Sequence, residues 1–351
     1  MPQRLTFVAA SFLSLFLEVL LIRWCGAEIR ILAYLRNLTL LGCFLGLGLG
    51  YAASHRRRLP LSVSFAATAV LVGLAPTFKG LSSQLNFKDM HSWRDDQSDM
   101  FRFFLGLGLL ALLYSLLAFA FVPIGQALGD HFDKAPREKR IREYTWNVLA
   151  SLLGVFAFFE LSFYEATPVV WFAVALLAAI LAARSWVDKG FVLALGAAIL
   201  FLLVQQEKTP TLEGDRAALP NTTTEVVETR WSPYQKIQLV REHHEFKRPS
   251  QAASGPDVLV WDDFSAYVNG HWYSRVGTTD LEVAAERARY SGSRAPLEFE
   301  LSRQIPYAVA AKKDRVLLLG AGMGRDAATA LLESATTIDV VDIEPRFIEW
   351  G

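Results

Sequence analysis

Three glycines and one aspartate near the carboxyl end of the 351-residue chain have the types and the order of a ligand-binding turn. Gly320, Gly322 and Gly324 follow the apolar run RVLLLG, and Asp342 comes 22 residues after Gly320 at the end of a second apolar run. Glycine allows a ligand to approach the backbone, a helix N-terminus offers free N–H groups, and a carboxylate accepts hydrogen bonds from ribose hydroxyls. The pattern predicts a strand, a glycine turn, a helix and a second strand that bind an adenosine-type ligand.

The same turn could serve two ligand classes. In the dinucleotide pattern that starts at Gly320, Arg325 stands where a third small residue is expected, although a shifted frame ending at Ala327 can be read. S-adenosylmethionine-type ligands are therefore favoured over NAD(P). A glycine turn that binds nothing is the third reading.

Composition and cysteine usage exclude several other site types. The chain has 35 basic and 35 acidic residues, so its net charge gives no support to a nucleic-acid partner. Cys25 and Cys43 both lie in apolar segments and are interpreted as small buried hydrophobes. His91 and its neighbouring aspartates lack tight ligand spacing, so a solvated loop is favoured over a metal site, and no metal is predicted.

The elements ahead of this turn divide the chain into an apolar and a polar part. Hydrophobic residues make up 52% of the chain, mean hydropathy is +0.27, and nearly all long apolar runs precede residue 205. A membrane-crossing helix needs roughly 20 apolar residues. A cleaved signal peptide would explain only the first run. Residues 1–205 are predicted to be a polytopic helical membrane domain with about seven segments: 5–24, 29–53, 60–77, 101–128, 145–164, 168–184 and 190–205.

The orientation of these segments follows from their charged loops. If all seven cross, the loops rich in arginine and lysine share one side, which the positive-inside rule makes cytoplasmic. An odd number of spans would then place the polar part on the other side, so the sequence leaves the topology open. Glu18, Arg23 and Arg36 lie within or beside spans, where a proton or substrate relay competes with structural pairing or snorkelling.

The polar part is predicted to contain a linker (206–221), a β-rich domain with two following helices (222–310) and the start of an α/β domain (311–351). Asn269-Gly270 between two alternating runs predicts a type I′ hairpin. Thr279 or Asp280 is expected to cap the first helix, and the second is expected to end near Pro306.

These motifs resemble the spermidine synthase family of polyamine aminopropyltransferases, in its bacterial membrane-fused form. The likeness covers most of the chain. LEVLLIRWCGAE and YTWNVLASLLGVF are similar to that group's first span and its Tyr-x-x-Asn segment. SPYQKIQLV resembles the Ser-x-Tyr-Gln-x-Ile stretch that opens the small β domain. RVLLLGAGMGRD and VVDIEP resemble the cofactor turn and the ribose-binding segment of the Rossmann-like domain.

The resemblance implies roles for individual residues. Gln235 would lie near the sulfonium end of decarboxylated S-adenosylmethionine, the three glycines would line the adenosine, and Asp342 would hold the ribose. Tyr273 stands where the family has a ligand-contacting Gln, and Met323 replaces an acid of its glycine turn. The catalytic acid would lie downstream of Gly351, so the chain is expected to be an inactive fragment of a longer transferase.

The implied function is transfer of an aminopropyl group to an amine such as putrescine, without a metal, in a bacterial inner membrane. The resemblance is compatible with a homodimer. Two alternatives stay open: an S-adenosylmethionine-dependent methyltransferase on the same fold, and a transporter or sensor whose polar domain binds a nucleotide-like regulator.

Overall fold

The computed structural model describes residues 3–29, 32–33, 35–84, 97–208, 221–248, 256–292 and 295–351. The chain forms two compact units, Met1–Thr211 and Leu212–Gly351. The loop of His91 and most of the predicted linker lie outside the described residues, as does the side chain of Arg36.

The described part of the first unit contains seven long helices. A short 3₁₀ turn, Arg137–Lys139, precedes the fifth. Four apolar stretches are long enough to cross a membrane by length and composition: Arg4–Glu28, Phe104–Lys134, Arg137–Phe163 and Trp186–Glu207. The other three helices carry shorter apolar stretches. The helices are α1 (Gln3–Glu28), α2 (Arg36–Ala52), α3 (Ser62–Gln84), α4 (Gln97–Lys134), α5 (Arg140–Phe163), α6 (Pro168–Ala182) and α7 (Trp186–Lys208).

Consecutive helices of this unit run in opposite directions. Asp130 near the end of α4 pairs with Arg58 before α3 (3.2 Å) and with Arg184 after α6 (3.1 Å). Asp188 at the start of α7 accepts hydrogen bonds from the first backbone N–H groups of α3, at 2.9 and 3.0 Å. The starts of α1, α3, α5 and α7 thus share one end with the last residues of α2, α4 and α6. This is called the basic end, after Arg56, Arg57, Arg58, Lys134, Arg137, Lys139, Arg140, Arg142, Arg184 and Lys189.

Glycines set the closest helix contacts in this bundle. A Cβ atom at Gly46 of α2 would collide with the carbonyl oxygen of Ala118 in α4, and one at Gly50 with that of Val122. Small residues at these two positions therefore act as packing devices that let the helices approach closely. Gly48 and Gly108, by contrast, face open space.

The second unit begins with a four-stranded antiparallel sheet in the order β1-β2-β3-β4. Asn269 and Gly270 between β3 and β4 have φ of 50° and 81°, as the predicted type I′ turn requires. The hairpin prediction is confirmed, and the turn fixes the register that places Tyr267 opposite Trp272. The strands are β1 (Thr222–Trp231), β2 (Lys236–Lys247), β3 (Val258–Val268) and β4 (His271–Val276).

Two helices follow the sheet. Asp280 caps α8 (Leu281–Ser291) by accepting the backbone N–H of Glu282 at 2.8 Å. The next helix, α9 (Ala295–Val309), contains Pro306 in its last turn and ends three residues after it, close to the expected end. Proline removes one helical hydrogen bond, but α9 is held from outside by pairing with the following helix through Glu300 and Arg303.

The unit closes with two parallel strands joined by a helix. Strand β5 (Arg315–Leu319) leads through the glycine turn into α10 (Arg325–Leu332), and β6 (Thr337–Val341) returns beside β5. A last short helix, α11 (Pro345–Trp350), follows β6. The buried side chains of Ile237, Ala266, Met323 and Phe347 form one core between the antiparallel sheet and the glycine turn.

Candidate functional site

The glycine turn after β5 has the backbone geometry that its sequence predicts. Gly320, Gly322 and Gly324 have φ of 74°, 54° and 80°, in the left-handed region that residues with a Cβ rarely enter. The N–H of Gly320 donates to the carbonyl of Val341 on β6 at 2.8 Å, and the N–H of Gly324 donates to Ala321 at 3.1 Å. The turn therefore lies at the carboxyl ends of both parallel strands, with the N-terminus of α10 directly behind it.

Asp342 is part of the turn's own scaffold. Its Oδ2 accepts the N–H of Gly322 at 2.8 Å, and its Oδ1 accepts the N–H of Glu344 at 2.9 Å. A carboxylate has about four acceptor positions, so two remain after these bonds are made. Since Asp342 is half-buried, its carboxylate can hold the turn and still accept hydrogen bonds from a ligand hydroxyl.

The β3–β4 hairpin brings an aromatic ring to the same place. Tyr273 stacks on Phe347 with ring centroids 5.0 Å apart and lies within 3.8 Å of the position a Cβ would take at Gly322. Burial, and secondarily the Asp342 carboxylate, raise the pKa of Tyr273, which keeps the phenol protonated at neutral pH. Tyr273 is thus a hydrogen-bond donor beside the glycine turn.

Met323, within the turn, points away from any ligand position. Its side chain is 2% exposed and belongs to the core with Ile237 and Phe347. The residue between Gly322 and Gly324 therefore packs in the core, and it provides no carboxylate that could contact a bound ligand.

Arg325, at the start of α10, is also turned inward. It forms a buried ion pair with Glu300 of α9 and donates to the carbonyl of Thr278 at 3.0 Å. Burial lowers the pKa of Arg325 to about 10, opposed by Glu300, so the guanidinium stays charged at neutral pH. The residue that interrupts the dinucleotide pattern thus joins α9 to α10.

A second buried network connects the antiparallel sheet to α8. Asp263 of β3 is 1% exposed and accepts from Arg287 of α8 at 3.0 Å, while Arg275 of β4 lies 3.3 Å away. His244 of β2 is 3.6 Å from the same carboxylate, and burial lowers the pKa of His244 to about 4 against the opposing effect of Asp263. This network fixes the sheet that carries Tyr273.

Gln235 lies in the turn between β1 and β2. Its backbone carbonyl accepts the hydroxyl of Ser232 at 3.2 Å, and its side chain is half-buried. Two residues later, Ile237 joins the core that contains Met323. The fold thus places Gln235 on a loop whose strand packs against the glycine turn, whereas the hydrogen bonds of Asp342 are made with Gly322 and Glu344.

The structure adds three residues that sequence reasoning missed. Phe347 and Trp350 of α11 flank the turn, and Trp350 Nε1 donates to Glu228 of β1 at 3.0 Å. Glu344 is 1% exposed, and its Oε2 lacks a hydrogen-bond partner among the described residues. Pro345 at the first helical position and the aromatic spacing in FIEW are local signals for α11, while the burial of Glu344 depends on long-range packing.

A cavity of about 660 Å³ lies on the other side of β5. Its walls come from α9, from the connection to β5 and from β5 itself, including Tyr307, Lys312 and Arg315. None of the three glycines lines it. Among the described residues no group of His, Cys, Asp or Glu is arranged to hold a metal ion.

Comparisons with known proteins returned nothing for this chain: no protein-family profile matches it, and no curated protein or solved structure matches it significantly.

Proposed function

We propose that this chain belongs to a membrane-bound transferase of the spermidine synthase type, which binds an S-adenosylmethionine-derived sulfonium donor at the glycine turn. One observation carries the proposal: the Asp342 carboxylate accepts the Gly322 N–H while two of its acceptor positions stay available at the carboxyl ends of β5 and β6. This is the arrangement that ribose recognition in Rossmann-like domains needs.

The exposed surface of the first unit supports a membrane location. Helices α5 and α7 carry large apolar side chains that are more than half exposed, among them Phe156, Phe159, Phe191 and Phe201. Soluble proteins rarely expose apolar patches of such extent, whereas a lipid environment would cover them.

The residues at the turn can perform binding and orientation. Backbone N–H groups and Asp342 would hold the adenosine, and Tyr273 would flank it with an aromatic face and a protonated phenol. A Rossmann-type ligand held at this edge would direct its sulfonium-bound carbon toward an amine. Alignment of the two reacting groups is the main source of rate enhancement in such a transfer.

Ligand binding to the purified protein tests the proposal. Isothermal titration with decarboxylated S-adenosylmethionine, S-adenosylmethionine and NADH should show binding of a sulfonium compound. Asp342→Asn should weaken it about 10- to 100-fold, because a hydrogen bond to a charged group contributes about 1.5–3 kcal/mol.

Asp339→Asn is the matched control, since Asp339 has an exposed side chain on β6, the strand that immediately precedes Asp342. It should bind as tightly as the parent. If neither sulfonium compound binds, or if NADH alone binds, the proposal is wrong.

A methyltransferase is the second candidate, and the burial of Met323 favours it. A side chain enclosed by Ile237, Ala266 and Phe347 leaves no acid in the turn to contact the aminopropyl end of the decarboxylated donor. Tighter binding of the carboxylated donor in the same titration would select methyl transfer. If membranes containing the protein convert labelled putrescine into an aminopropylated product, aminopropyl transfer is selected.

A further inference from the structure

The interface between α1 and α5 contains a row of buried polar side chains. On α1, Ser11, Ser14 and Glu18 are 0%, 3% and 4% exposed, and their spacing of three and four residues places them on one helix face. On α5, Asn147 and Ser151 are one turn apart. Ser11 Oγ lies 2.9 Å from Asn147 Oδ1, and Ser151 Oγ donates to the Ser11 carbonyl at 3.0 Å.

This row begins at the basic end. His131 of α4 lies 3.1 Å from Glu143, one turn before Asn147 on α5, and its ring stacks on Phe7 of α1 at 3.7 Å. Phe7 is one turn before Ser11. We call the set His131, Glu143, Asn147, Ser151, Ser11, Ser14 and Glu18 the polar lane.

The polar lane ends at a carboxyl group without a full set of partners. Oε2 of Glu18 is buried and has no hydrogen-bond partner within the described residues. The hydroxyl of Thr39 on α2 is also buried and has no hydrogen-bond partner within the described residues. Cys43, one turn beyond Thr39, interacts electrostatically with Glu18. The polar lane therefore runs from the basic end to a buried carboxyl group of α1 that lies beside α2.

Among the described residues, the buried Oε2 of Glu18 accepts no hydrogen bond from a cation. The sequence of α6 contains no charged residue, and α4 has none between Phe103 and Gly129. From α5 only Glu143, at the far end of the polar lane, is ionisable on the facing side. Among the described residues, the Cys43 thiol of α2 lies close enough to interact with both Glu18 and the Cys25 thiol of α1.

An ionised carboxylate in such surroundings is costly, whereas a protonated carboxyl group is neutral. Hydroxyl groups both donate and accept hydrogen bonds, and those of Ser14 and Ser151 meet at the Ser11 carbonyl, at 2.7 and 3.0 Å. We propose that Glu18 is a proton-binding site that holds its proton at neutral pH and exchanges it with the basic end through the polar lane. This inference rests on the membrane location proposed above.

The test uses the full chain in proteoliposomes and a hydrophobic carbodiimide, which labels protonated carboxyl groups. Mass spectrometry should find label on the Glu18 peptide at pH 7, with loss of label as pH rises. Glu18→Gln should remove both this label and the infrared carbonyl band of a protonated carboxyl group.

Two serine substitutions test the path. Ser151→Val should keep the label at equilibrium but slow the response of the infrared band to an external pH jump about 10-fold. Ser115→Val is the control, because the Ser115 hydroxyl bonds within α4 and lies outside the polar lane. It should respond like the parent.

The outcomes separate this inference from the proposed function. Failure of the chain to resist alkaline extraction from membranes would contradict the membrane location. A membrane-inserted chain whose Glu18 is unlabelled at every pH would overturn the proton site. Suppression of labelling by sodium at constant pH would also overturn it, since the carboxylate would then bind a metal cation.

Discussion

At the scale of single residues, Gly322 has two constraints that its neighbours do not share. All three glycines of the turn have positive φ, but only a Cβ at Gly322 would contact the hairpin, 3.3 Å from the Ser274 hydroxyl. At Gly324 the same atom would meet open space. The turn conformation and the position of Tyr273 are therefore coupled through Gly322.

Alanine substitutions should separate these two effects. Gly324→Ala should cost about 1–2 kcal/mol from the left-handed conformation alone. Gly322→Ala should cost on the order of 1 kcal/mol more, since Ser274 must also move. Hydrogen exchange of the β5 amides in the full chain measures both free energies, and equal costs would show that the hairpin contact does not constrain the turn.

Residue-level features that depend on local conformation were predictable from sequence. The positive φ of the turn glycines and of Asn269-Gly270 follows from the absence of a Cβ or from short-range chemistry. The fate of Arg325 was not predictable, because its partner Glu300 lies 25 residues earlier on another helix. The same holds for Tyr273, whose position over the turn depends on Phe347.

At the scale of elements, strand β2 places a histidine on each of its faces. His244 is buried against Trp261 with ring centroids 4.9 Å apart, and its Nδ1 lies 3.0 Å from the Thr222 hydroxyl. His243, on the opposite face, is exposed and pairs with Asp262 at 2.6 Å. The two neighbours provide a matched comparison of buried and exposed imidazole.

Acid should destabilise the antiparallel sheet through His244. Its folded pKa of about 4 lies below the ordinary histidine value of 6.5, so the unfolded chain binds more protons between these values. Stability therefore rises with pH across this window and is lost as pH falls from about 6.5 to about 4, by about 2–3 kcal/mol.

Hydrogen exchange of the β2 and β3 amides between pH 4 and 7 measures this loss. His244→Gln should flatten the pH dependence, and His243→Gln should change it far less, since His243 makes only a minor contribution to the pKa of His244. A parent protein whose exchange-derived stability is constant over the window would contradict the assignment of His244 as buried and neutral.

The element boundaries show where periodicity is informative. The seven predicted apolar segments correspond to seven helices, because a long apolar run rarely forms any other structure. The ends of the helices differ from the predicted ends by several residues. Helix α4 extends to Lys134 rather than to residue 128, since its last turns form the ion pairs of Asp130. Such pairs involve loops distant in sequence and leave no periodic signal.

At the scale of the whole molecule, the alternation of seven helices has a consequence for compartments. Helix α7 begins at the basic end, where Asp188 binds the start of α3, and therefore finishes at the opposite end. In a membrane, the positive-inside rule makes the basic end cytoplasmic. We expect the chain after Lys208 to emerge on the non-cytoplasmic side.

Thiol labelling of intact cells tests on which side of the membrane the chain after Lys208 emerges. The native Cys25 and Cys43 are fully buried, so background labelling is low. Ser334→Cys, at an exposed position after α10, should react with a membrane-impermeant maleimide from outside. His55→Cys, at the exposed basic end, should react only after the membrane is opened.

If this pattern is found, a sulfonium donor would have to be supplied outside the cytoplasm. The reverse pattern would contradict the seven-span topology and would place the glycine turn in the compartment where such donors are made.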